Sequence, residues 1–184
     1  MRFTVLPVAS VESSTEEPTS STETTSATSS VAVPDPTFTV LAGGASLQDG
    51  GQRNGIYIFD PTRTDISVHT ASIDESGHMA FSSGFYWIAQ YTSGRSTPAL
   101  ILNGNGLPGY GQDFPALTCE VAADLKITCS APAGACDDDD NCGPTSGTWG
   151  QFCSQYEPIF GNVLHIFSSC PSGYTPVTLQ AQTI

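Results

Sequence analysis

All six cysteines of this chain fall between Cys119 and Cys170, at intervals of 10, 7, 6, 11 and 17 residues. An even number at close spacing, in a chain with few lysines, reads as a disulfide framework formed in an oxidising compartment. Zinc would need paired cysteines at C-x2-C spacing with histidines nearby, and these intervals supply neither. The last third of the chain is therefore expected to be covalently stapled and extracellular.

Spacing ranks the pairings without settling them. A hairpin turning at 122–124 sets Cys119 opposite Cys129, Cys136 and Cys142 can close a short loop, and Cys153 and Cys170 remain.

Between and before the cysteines, apolar residues come in short blocks or alternate. The run 163–167 (VLHIF), stopped by Ser168 and Ser169, is a buried strand, and Val177, Leu179 and Ala181 share one face of a closing strand that begins at Pro176. Upstream, Phe38 and Val40 share a face, 56–59 is a buried strand, Ile66 and Val68 point inward in 65–69, and 85–91 is the most aromatic strand. The segments 117–121 and 125–129 form a hairpin. Nowhere do apolar residues recur at helical spacing over three turns. The expected fold is all-β, a disulfide-stabilised β-sandwich or barrel-like body of about ten short antiparallel strands.

Composition separates this body from what precedes it. From Ser10 to Ser30 nearly every residue is Ser, Thr, Glu, Ala or Pro, which leaves nothing to bury against the entropy of ordering the backbone. Residues 1–36 are read as a disordered Ser/Thr-rich stalk carrying O-glycans, with a remnant signal peptide at 1–10, and 37–184 as the β domain. No apolar stretch approaches the roughly 18 residues of a membrane span.

The net charge of −13 (18 acidic, 5 basic residues) opposes polyanion partners, so neither nucleic acid nor an anionic membrane surface is expected. Asp137, Asp138, Asp139 and Asp140, enclosed by Cys136 and Cys142, are the sharpest local feature. Adjacent carboxylates repel one another, and calcium would relieve that, although consecutive residues converge poorly on one ion; a solvated acidic loop is the plainer reading. No cofactor is expected beyond that candidate ion.

Chemistry that breaks bonds is not marked. His165 lies inside an apolar strand and needs a carboxylate from another strand to act as a base. There is no G-x-S-x-G elbow, and no spacing singles out a carboxylate pair. Trp149, Tyr86 and Tyr156 offer flat faces on which sugar rings stack. Trp87 reads instead as core.

The segment Gly150-Gln151-Phe152-Cys153, the strand ending in Ile166-Phe167, and Cys170 followed by Pro176-Val177-Thr178-Leu179 resemble the end of an uncharacterised β-rich domain of secreted fungal (ascomycete) proteins. That domain carries a "GFCQ"-like segment, a "VYxxF"-like strand and a terminal "C-x-PVTL", and often follows a Ser/Thr-rich stalk. A looser likeness runs from Phe38 to Gly44. The resemblance implies an extracellular, cell-wall setting and brings no catalytic residue with it. The expectation is a non-catalytic cell-wall or surface module with wall polysaccharide as partner. A glycan-binding or effector-like protein is the alternative within binding, and a small secreted hydrolase is the alternative of another class.

Overall fold

The computed structural model describes residues 36–49, 55–60, 62–63, 67–92, 98–105 and 114–184. The stalk and signal-like start (residues 1–35) and Ile66 lie outside the described residues. The described residues all fall within the unit Pro34–Ile184.

Among the described residues there are fifteen strands: β1 Phe38–Ala42, β2 Ala45–Ser46, β3 Gln48–Asp49, β4 Tyr57–Ile58, β5 Thr70–Ile73, β6 Met79–Phe81, β7 Phe85–Gln90 and β8 Ala99–Asn105, then β9 Thr118–Val121, β10 Lys126–Cys136, β11 Cys142–Trp149, β12 Gln151–Glu157, β13 Gly161–Phe167, β14 Thr175–Pro176 and β15 Leu179–Thr183. No helix occurs among the described residues, so none is long and apolar enough to cross a membrane. Every strand pairing among the described residues is antiparallel, and the main path runs β11-β10-β15-β1-β5-β6-β7-β8-β13-β12-β14. The fold is thus all-β, one sheet curled into a half-barrel, which is the barrel-like form of the expectation.

Curling a sheet gives it an inner and an outer face, and adjacent residues on one strand point to opposite faces. On β7, Trp87 belongs to the large core with Phe38, Val40, Tyr57, Phe81 and Phe152, while the next residue, Ile88, belongs to a second cluster with Ile56, Ile58, Leu102 and Val163. Both faces of the central strands are therefore covered. Trp87 is fully buried and sits edge-on to Tyr57 (5.6 Å) and Phe152 (6.1 Å).

Three disulfides close Cys119 with Cys129, Cys136 with Cys142, and Cys153 with Cys170. The first spans the β9–β10 hairpin, whose residues Cys119 and Cys129 are direct partners, and the turn at 122–124 ends on Leu125 with φ 65°.

Three readings of the strands are corrected. Val68 does not point inward: it is 41% exposed and makes only an isolated bridge to Gln48, and the regular strand starts at Thr70. The closing strand is two pieces, β14 and β15, because Val177 donates its backbone N–H to Phe152 between them. The strand expected to end at Cys129 runs on through Pro132 to Cys136 and pairs with β11. The sheet's main path ends on strands that each contain a proline, Pro144 in β11 and Pro176 in β14.

Candidate groove on the β10–β11 hairpin

The β10–β11 hairpin does not pair evenly. Pro132 faces Thr148 and Gly134 faces Pro144, so Thr145, Ser146 and Gly147 stand opposite Ala133 alone. Such a bulge bends the strand and turns side chains away from the ladder. Gly147 adopts φ 104°, a conformation that a residue with a Cβ rarely takes. The result is a groove of about 740 Å³ between the bulged hairpin and the end of β13, where Phe167 and Ser168 complete the wall.

Its floor is aromatic. Trp149, only 6% exposed, meets the Phe167 ring at 4.9 Å and the Tyr91 ring edge-on at 5.6 Å. Tyr91 in turn donates its hydroxyl to the Pro132 carbonyl (3.0 Å), and its burial raises the phenol's pKa. Trp149 therefore anchors the groove from beneath and leaves little of its own surface exposed. The walls are hydroxyl-bearing: Thr145, Ser146, Thr148 and Ser168 are exposed and line it, with Asn141 and Asp137 at the hairpin tip.

The acidic tip is a self-capped turn. Asp137 Oδ1 accepts the backbone N–H groups of Asn141 (2.9 Å) and Asp139 (3.0 Å), and Asn141 Nδ2 donates to both of its oxygens (3.2 and 3.1 Å). These bonds, the Asn141 backbone N–H first, hold the Asp137 carboxyl below the usual range. Its oxygens are thus turned into the loop. Asp138 and Asp139 are exposed. Among the described residues no group of three or more His, Cys, Asp or Glu is placed to hold a metal ion.

The other sequence candidates lie elsewhere. Tyr86 is half-buried, edge-on to His78 at 6.4 Å, and Tyr156 is 68% exposed on β12; neither lines the groove. His165 is buried at 7% exposure, next to Tyr174, whose ring stands edge-on at 5.1 Å. The Pro98 carbonyl lies near its ring and slightly favours the charged form, yet neither ring nitrogen makes a hydrogen bond of good geometry. Burial dominates and lowers its pKa to about 4, so at neutral pH it is an uncharged part of the packing. His78 Nδ1 lies 3.5 Å from Asp74 Oδ2, but Asp74 is already capping the 74–78 turn through the N–H groups of Ser76 and His78.

The hydroxyl wall was not singled out from sequence. The signal that marks it is Gly143-Pro144-Thr145-Ser146-Gly147-Thr148, a run without a large apolar side chain set between a disulfide and a tryptophan. No family model, curated protein or solved structure matches this chain.

Proposed function

We propose that the chain is a secreted, non-catalytic surface module that binds carbohydrate in the β10–β11 groove. The observation that carries this reading is the groove itself: an aromatic floor of Trp149 and Phe167 beneath a wall of four exposed hydroxyls and an amide. Sugars present alternating apolar ring faces and hydroxyls, and such a surface meets both. Three disulfides are in keeping with an extracellular protein. The resemblance to secreted fungal domains extends the reading to a cell wall, with wall polysaccharide as partner. Among the described residues His165 packs against the Tyr174 ring with neither ring nitrogen hydrogen-bonded, an arrangement that does not favour the hydrolase alternative.

The test is a glycan array followed by calorimetry on the full chain, with Ser146→Trp and Ser168→Trp as groove-filling variants at exposed positions. Binding that disappears in both variants, while their melting midpoints stay at the wild-type value, is the expected result. Binding unaffected by either variant overturns the groove as the site, and release of soluble product from a polysaccharide would move the protein to the hydrolases.

A further inference from the structure

Resting on the carbohydrate reading, we infer that the groove selects cationic amino sugars, glycans whose amines are free and protonated, over neutral or acidic ones. The distribution of charge along the groove argues for this. Among the described residues Asp137 is the one charged side chain in its lining, and no lysine or arginine is among them. Asp138 and Asp139 stand exposed beside it on the hairpin tip. The Cys136–Cys142 bridge ties that tip to the two strands whose residues form the groove, so the carboxylates are held at its mouth rather than free to drift. Charges of one sign gathered at a cleft raise the local concentration of the opposite charge and repel their own kind. The chain's net charge of −13 has the same sign as that field.

Hydrogen bonding agrees with the charge. The Asn141 contacts stabilise the ionised form of Asp137, so this carboxylate stays negative in mild acid, where sugar amines are fully protonated. Thr145, Ser146 and Thr148 remain free on the surface to meet ring hydroxyls. A neutral glycan could use the hydroxyl wall and the floor alone. A free amine adds an ionic contact at the tip.

The experiment compares a β-linked glucosamine oligosaccharide with its fully N-acetylated counterpart by calorimetry, on the full chain in mild acid. Ionic strengths of about 0.01 M and about 0.15 M bracket the screening range. The wild type is set beside Asp138→Asn/Asp139→Asn, which removes two exposed charges and leaves the Asp137 cap intact, and beside Ser146→Trp. The expected result is at least a tenfold preference for the free amine at low salt. It should shrink at the higher salt, weaken about threefold or more in the double variant and vanish in Ser146→Trp. Equal affinity for the two oligosaccharides overturns the inference and leaves the carbohydrate reading standing. Preference retained in both variants also overturns it, because the charge would then act outside the groove. Binding of neither compound, nor of any glycan on the array, removes the reading beneath it as well.

Discussion

Gly134 lies directly against the ring of Tyr91: a Cβ added at Gly134 would stand 2.1 Å from Tyr91 Cε1 and Cζ. The missing side chain is what lets the Tyr91 ring lie across β10 and reach Trp149. Floor and hairpin are thereby joined at one point.

Gly134→Ala is therefore expected to push the tyrosine off its seat. The cost should be about 2–3 kcal/mol, at the upper end of the range for overpacking. Tyr91→Phe, which keeps the ring but loses the bond to Pro132, should cost about 1 kcal/mol. Urea unfolding of both variants checks the order. A Gly134→Ala chain as stable as wild type would mean the ring has room that the structure denies it.

Trp149→Ala should destabilise by about 3–5 kcal/mol, because it empties the space between Tyr91 and Phe167. Ser146→Trp, on the exposed bulge, should change stability by less than about 0.5 kcal/mol. Thermal unfolding of the pair separates the floor, which holds the fold, from the wall, which is free to hold a ligand.

Acid should weaken the protein through His165. Its folded pKa of about 4 lies below the ordinary 6.5, so the neutral form is favoured by folding. Stability from this group is complete above pH 6.5, falls as pH drops toward 4, and levels off below that. At about 1.4 kcal/mol per unit the loss is on the order of 3 kcal/mol. His165→Leu should flatten the pH dependence over that window. Denaturant midpoints measured across it for both proteins give the comparison, and an unchanged slope in the variant would place the acid sensitivity elsewhere.

The disulfides should rank by the loops they close. Replacing Cys153 and Cys170, separated by 17 residues, with alanine should cost about 3 kcal/mol, and replacing Cys136 and Cys142, separated by 6, about 2 kcal/mol. The second change should also free the hairpin tip. Melting midpoints of the two double variants give the ranking, and amide exchange at 137–141 reports the release of the tip.

The strands that were legible from sequence are those whose side chains carry their own signal. β7 and β13 read as buried because β-branched and aromatic residues crowd them, and the hairpin at 122–124 ranked Cys119–Cys129 ahead of its alternatives. β11 was not legible. Its residues Gly143 to Thr148 have little strand propensity, and it exists because β10 pairs with it and Cys136–Cys142 sets the register at one end. The groove inherits that illegibility, since the bulge opposite Ala133 is a property of two strands together. His165 was readable as lying within an apolar strand. That both faces of the sheet are covered, and hence that its ring is desolvated, depends on partners its own strand does not reveal, the distant Leu100 across the ladder and Tyr174 from beyond the end of the strand.

Pro144 and Pro176, one in each terminal strand of the main path, withhold a backbone donor where a foreign strand would need one. A proline at each end of the main path makes both end strands poor templates for a strand from another molecule, so the residues that finish the path also disfavour growth of the sheet from one copy into the next.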